Sequence, residues 1–274
     1  VDATETPLES FEAKWTAAHP EFALALRFES EAERAARSAF ACLVFEIEHA
    51  AFGIREMQPA AVKLQWWAEE FVRTGRGEAR HPLTQALSDR IGRAAIPNGQ
   101  WQAAIVGALA QRDPEPAADT DALLDAYLQL YAPIGAIEAA LFETDEAALA
   151  RSLALVRALR ETAALPVALR DGKLPLPLDV LAHHRLARGN LSEASPARRD
   201  ALGEWFRMLS EAISELAMSK RLGVLRAGMV SADGARAKRA AGASEPLAAL
   251  SSALGTLSLP VLWSAWRAAR RSRR

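Results

Sequence analysis

Three groups of side chains in this sequence have the types and spacing to do chemistry. Glu46, Glu48 and His49 fall within the stretch 43–52; Arg157, Arg160 and Glu161 lie within about one turn; Asp121 and Asp125 stand four apart. Carboxylates three or four residues apart point the same way from one helix, so two such clusters on facing helices can cage divalent cations. Arginines one turn apart can share a face and hold an anionic head group without metal. These rules sort the groups. Glu46 and Glu48 sit about 200° apart around a helix and cannot chelate one ion together. Asp121 and Asp125 follow a helix start, where acids stabilise the positive end without any ligand. Glu48 and Glu161 stand outside these pairs, and Arg157 and Arg160 are a candidate anion-binding pair unless Glu161 or neighbouring carboxylates of the chain neutralise them.

Other chemistries find less support. His183 and His184 are adjacent and are expected to point apart on a helix. With no His-x-x-Glu-His array either, no metal site is expected. Cys42 is the lone cysteine, set among apolar neighbours, and reads as a small core residue rather than a nucleophile. Gly-rich phosphate loops are absent. A formal charge of -1 gives no global attraction to nucleic acid, and none is expected as a partner. A reducing, cytoplasmic setting fits the single thiol, and the acidic, polar start Val1–Thr6 is unlike a secretory signal.

The elements that must position these groups are helices. Half of the residues are hydrophobic, Ala, Leu, Glu and Arg dominate, and no stretch alternates as a strand would. The periodicity predicts one all-α domain, with helices over about 21–51, from Pro59 to Gly75, from Pro82, over 101–109, 120–141, 146–165 and 196–226. His81 is expected to cap the helix that Pro82 begins. Leu174-Pro175-Leu176-Pro177 is expected to be an extended, packed connection. The Gly-, Ala- and base-rich stretch 231–244 reads as a mobile linker. From Pro246 to Trp266 there is no charge, but Ser251, Ser252, Gly255, Thr256, Ser258 and Pro260 argue for two short helices over a membrane span.

Two stretches carry a family resemblance. Lys63-Leu64-Gln65-Trp66-Trp67 followed by His81-Pro82-Leu83 resembles the Lys-Leu-x-Trp-Trp…His-Pro signature of the squalene/phytoene synthase family. Leu159-Arg160-Glu161 followed by Asp171-Gly172-Lys173-Leu174-Pro175-Leu176-Pro177 is similar to its Leu-Arg…Gly-x-x-Leu-Pro segment. The resemblance spans roughly 22–226 and implies the helical bundle of the isoprenoid synthase fold. It further implies condensation of two prenyl diphosphates through a carbocation, in a cavity that Phe45, Trp66, Trp67 and Tyr127 would line. Mg²⁺ would clamp the diphosphate between two Asp-rich motifs. Here the first motif fits in two registers: one puts Glu48, thereby implied as a catalytic candidate with Glu161, and His49 at its leading pair and Phe52 at its trailing position, and the other leaves Ala50, Ala51 and Ile54. In the second, Glu161 stands at the first acid, while Ala164 and Leu165 replace the later ones.

Such erosion resembles the branch of the family containing mitochondrial complex I assembly factors. It implies a protein without prenyltransferase activity that keeps the fold to bind a prenyl group or other lipid, or to assemble a partner complex, with no cofactor. The alternative is an active transferase using Glu ligands, Mg²⁺ and farnesyl or geranylgeranyl diphosphate. Near the end of the sequence, Trp263 and Trp266 precede Arg267, Arg270, Arg271, Arg273 and Arg274. Tryptophans beside arginines on an amphipathic helix suit the inner face of an anionic membrane; a docked helix with a solvated basic end is the competing expectation.

Overall fold

In the computed structural model, which describes residues 7–217, 222–257 and 259–272, every regular element described is helical. Val1–Thr6, Ser258, Arg273 and Arg274, on which the sequence reading also drew, lie outside those residues. The α-helices are α1 (Pro7–Ala18), α2 (Glu21–Ala25), α3 (Glu31–Glu48), α4 (Met57–Gly75), α5 (Pro82–Ala94), α6 (Asn98–Ala110) and α7 (Thr120–Phe142). They continue as α8 (Glu146–Ala163), α9 (Leu165–Arg170), α10 (Leu178–His183), α11 (Pro196–Ala217), α12 (Gly223–Ala241), α13 (Pro246–Leu254) and α14 (Leu259–Ser272). The bundle is built by α7 against α6 and α8, by α12 against α11 and α14, and by α3 against α5.

The family signature around Trp66 and Trp67 works as a clamp. Glu70, one turn on in α4 and fully buried, accepts hydrogen bonds from the backbone N–H of Arg80 (2.7 Å) and His81 (2.8 Å) and from the Thr84 hydroxyl. These are donors that a helix start leaves without partners. His81 Nδ1 accepts from the Leu83 N–H at 3.2 Å, the cap expected from sequence, and Pro82 has no N–H to satisfy. The His81 ring lies 4.7 Å from that of Trp67 and 5.6 Å from that of Trp66. Leu174, Pro175, Leu176 and Pro177 are extended and buried as expected. Thr162 fixes them, its hydroxyl donating to the Pro175 carbonyl at 3.2 Å while accepting from Trp205 Nε1 at 3.0 Å.

Three expectations need correction. The helix predicted over 21–51 is broken by a 3₁₀ turn at Leu26–Phe28, after which extended Ser30 caps α3 by accepting from the Glu33 N–H at 3.3 Å. The helix predicted over 196–226 is two: α11 ends at Ala217, 218–221 lie outside the described residues, and α12 opens at Gly223 with φ +72°. That left-handed conformation favours glycine. The supposed mobile linker at 231–244 is largely the second half of α12, with Ala232, Asp233, Gly234, Arg236, Ala237 and Ala240 buried. Its small residues permit close packing rather than flexibility: a Cβ on Gly228 would lie 3.1 Å from Ala25 Cβ, and one on Gly234 would lie 3.0 Å from Ile213 Cγ2. Residues 259–272 form α14, which packs on α12 and α2. Among the described residues no helix is long and apolar enough to cross a membrane.

Candidate functional site

Helices α3, α7 and α8 bring the sequence candidates together at one mouth of the bundle. Glu48 ends α3, just before a π-helical turn at His49–Gly53. Arg157, on α8, donates to Glu48 Oε2 at 2.8 Å through Nη2, to the Tyr131 hydroxyl at 2.9 Å through Nε, and to Glu161 Oε1 at 3.3 Å through Nη1. Tyr131, from the middle of α7, in turn donates to Glu48 Oε1 at 2.6 Å. The guanidinium lies 4.2 Å from the centre of the Phe52 ring. Both oxygens of Glu48 are thus engaged by protein donors. Glu46 points elsewhere, to Lys14 (2.8 Å) and Lys63 (2.6 Å), as its position two residues from Glu48 requires.

Arg160 does not share an anion with Arg157. It faces a second, deeper network, donating to Asp233 Oδ2 at 2.9 Å and Glu21 Oε1 at 3.3 Å. Arg236 completes it, reaching Asp233 Oδ1 at 2.7 Å and Glu21 Oε2 at 2.9 Å. Behind both networks, Arg226 grips Glu138 at 2.8–3.0 Å. The two arginines proposed for a diphosphate are therefore each committed to carboxylates of their own chain. Sequence reasoning found Arg157, Arg160, Glu48 and Glu161. It missed Glu21, Asp233 and Arg236 as members; the Asp233–Arg236 spacing of three on a small-residue helix was the available signal.

The remaining candidates fall in four places. Phe45 borders the mouth, a hollow of about 310 Å³ that Glu48, His49, Phe52, Arg157 and Glu161 also line. Trp66 and Trp67 do not border it and instead pack on His81. Tyr127 is buried, with its ring 6.3 Å from that of Phe52, and is likewise not among the residues bounding the mouth. On α14, Trp263 stacks on Trp266 at 4.9 Å, and Arg270 lies 4.9 Å from the Trp266 ring. Trp263, Arg267, Arg270 and Arg271 are exposed.

Inward of the mouth, the space between Trp15, His19, Phe45, Glu48, Arg157 and Arg226 shrinks to about 20 Å³. That is room for about one water molecule. Nor do the mouth residues fit a magnesium cage. Both oxygens of Glu48 already take a donor, Glu161 is bound to Arg157, and Ala164 and Leu165 offer no oxygen in their side chains. Among the described residues, three metal-type ligands come within reach of one another only at His183, His184 and Glu204.

Electrostatics follow the pairing. Burial pushes the Glu48 carboxyl upward, but Arg157 and the Tyr131 hydrogen bond outweigh it and hold the group below its ordinary value of 4.5. Glu21 is likewise opposed by burial and lowered well below 4.5 by His19, Arg160 and Arg236. His19 itself is lowered from 6.5, by burial first and Arg160 second. Burial drives the Cys42 thiol up to about 12, which suits a core residue and not a nucleophile.

A pH dependence of stability results. Depressed carboxylates contribute fully above their unfolded value and lose that contribution as pH falls through the folded one. A depressed histidine acts in the same direction, because the unfolded chain takes up the proton first. The melting temperature is expected to decline gently below about pH 6.5 and steeply below about pH 4.5. Thermal melts followed by circular dichroism across pH 7 to 3 check this; a melting temperature that rises on acidification contradicts it.

Comparisons with known proteins agree with this architecture. At 14% identity, the crystal structure of squalene synthase HpnC from Alicyclobacillus acidocaldarius superposes with a TM-score of 0.64, covering 89% of this chain and 95% of that one. A dehydrosqualene synthase in complex with ligand superposes with a TM-score of 0.66 at 12% identity, over 85% of this chain and 84% of that one. No curated protein matches in sequence. The family model for squalene/phytoene synthase matches residues 16–255, and the chain therefore belongs to the squalene/phytoene synthase family.

Proposed function

We propose that this protein is a non-catalytic member of the family that binds an anionic prenyl or other lipid group instead of condensing prenyl diphosphates. The observation that carries this reading is the closed interior: about 20 Å³ remains behind a mouth whose acidic groups are already held by arginine. Drug-sized ligands occupy pockets of about 300–1,000 Å³, and a condensation needs two prenyl chains side by side. Magnesium would have to displace Arg157 from Glu48 and Glu161 at once, removing a buried cation from the carboxylates that neutralise it.

Binding finds a better place on the outside of α9. A hollow of about 560 Å³ there has a floor of Pro166, Leu169 and Leu191 and is rimmed by Arg170, Arg188 and Arg198. The Nε of Arg198 is buried with no hydrogen-bond partner. An apolar floor beside three guanidinium groups suits an amphipathic anion, with its head on the arginines and its chain on the floor. An anionic bilayer would supply such a lipid, and Trp263, Arg267 and Arg270 are exposed toward solvent where they could rest on one.

One pair of assays tests the proposal. Purified protein incubated with farnesyl or geranylgeranyl diphosphate and Mg²⁺ is expected to release no pyrophosphate above the no-enzyme control. The same farnesyl diphosphate, titrated without metal, is expected to bind, and Arg188→Ala with Arg198→Ala together to weaken it at least about tenfold. Sustained Mg²⁺-dependent turnover overturns the non-catalytic reading. Unchanged affinity in the double variant removes the groove.

A further inference from the structure

We propose that His183, His184 and Glu204 form a transition-metal site that binds Zn²⁺ where the end of α10 meets α11. It shares no residue with the Arg157 network, and it does not depend on the lipid-binding reading. Adjacent histidines within a helix diverge by about 100°. Side-chain rotation overcomes this divergence at the end of α10, where His183 is the last residue and His184 the cap. The two rings meet edge to face with centroids 5.0 Å apart, much as those of Trp66 and Trp67 do within α4 at 5.1 Å. Glu204, just over two turns into α11, meets them: His184 Nε2 lies 2.8 Å from Glu204 Oε2. One ligand atom from each of the three residues falls within 4.8 Å of the others.

Those separations sit close to what zinc requires. With Zn–N near 2.0–2.1 Å and Zn–O near 2.0–2.2 Å, tetrahedral ligands stand about 3.3 Å apart. The His184–Glu204 contact has to open by about 0.5 Å and the widest pair to close by up to about 1.5 Å. Rotation of the side chains supplies this, because His183 is exposed and the other two are half-buried. Two imidazoles and one carboxylate favour Zn²⁺ over Mg²⁺ or Ca²⁺, which take oxygen ligands. Water fills the fourth position of such a three-ligand set. The bound ion would tie α10, and with it the Leu-Pro-Leu-Pro segment that precedes it, to α11.

The test uses the full chain without an affinity tag, stripped with chelator and titrated calorimetrically with Zn²⁺ and, separately, Mg²⁺. One Zn²⁺ per chain is expected, with no heat from Mg²⁺ beyond dilution. His183→Ala, His184→Ala and Glu204→Gln are each expected to weaken Zn²⁺ binding at least about tenfold, since three ligands leave little redundancy. Exposed His183 keeps its variant folded even if the His184–Glu204 contact matters for stability, so the result for His183→Ala alone decides the site. A Zn²⁺-induced rise in melting temperature should appear in the parent and vanish in that variant. Absence of binding at about 100 µM Zn²⁺, where a site of about micromolar affinity would be filled, overturns the proposal, as does unchanged affinity in His183→Ala. In either case the His184–Glu204 contact is only a hydrogen-bonded clip.

Discussion

Arg236→Ala is expected to cost about 3–5 kcal/mol of stability, the range for breaking a buried ion pair by removing one partner. The side chains of Arg236, Glu21 and Asp233 have no solvent exposure, and Arg236 bonds both carboxylates as well as the Thr256 carbonyl at 3.0 Å. Alanine would leave two buried carboxylates to Arg160 and, for Glu21, to His19 at 3.6 Å. At about 2–4 °C per kcal/mol for a chain of this size, the melting temperature should fall by roughly 6–20 °C. Arg199→Ala supplies the contrast. Its partner Asp200 is at 2.8 Å, but both side chains are about half exposed, and such pairs contribute about 0–1 kcal/mol. Neutralising the carboxylates together, with Glu21→Gln and Asp233→Asn added to Arg236→Met, should recover part of the loss. A drop no larger for Arg236→Ala than for Arg199→Ala, read by calorimetry, contradicts the network. The consequence reaches the mouth, which Arg160 lines together with Arg157, because this network holds Arg160 on Asp233 and Glu21.

How far the sequence led is clearest residue by residue. The Trp66-Trp67…His81-Pro82 landmark led directly to the fold, because it encodes a clamp whose parts are close in sequence: Glu70 reaches only to Thr84. The boundary set by the His81 cap and Pro82 was readable for the same reason. Other breaks were overlooked: Ser30, itself a side-chain cap that accepts from the Glu33 N–H, and Gly223, with φ +72°, interrupt stretches whose apolar periodicity reads straight through them.

Composition misled most at 231–244. Glycine, alanine and basic residues describe a flexible linker when exposed and a tightly packed helix when facing other helices. Ion-pair partners separate the two cases, and they are far away in sequence: Arg236 lies 215 residues from Glu21. The candidate site was half readable on the same principle. The Arg157–Glu161 pair is four apart on one helix, whereas Tyr131 reaches Glu48 across 83 residues. The expectation that His183 and His184 diverge failed because side chains that leave a helix about 100° apart can still rotate together, as Trp66 and Trp67 do within α4 at 5.1 Å.

Gly107→Ala is expected to destabilise the protein by about 3 kcal/mol or more, at the upper end for overpacking a core. A Cβ there would stand 2.1 Å from the Gln129 carbonyl oxygen, 2.6 Å from its carbon and 2.7 Å from Leu130 Cα. These are backbone atoms of α7, so no change of rotamer relieves the contact. The two helices must move apart, which also stretches the 2.8 Å bond from Gln111 Nε2 to the Ala126 carbonyl. Leu130 adjoins Tyr131, so the displacement passes to the hydroxyl that joins Arg157 to Glu48. Gly92→Ala is the matched control: it lies in helix α5 with nothing within 4 Å of its Cβ. Both changes restrict the unfolded chain and raise helix propensity, which by itself adds up to about 1 kcal/mol. Their difference in urea denaturation therefore isolates the contact between α6 and α7. Equal midpoints for the two variants would mean that the helices are not held this closely, and that Tyr131 reaches Glu48 from a backbone freer than its neighbours allow.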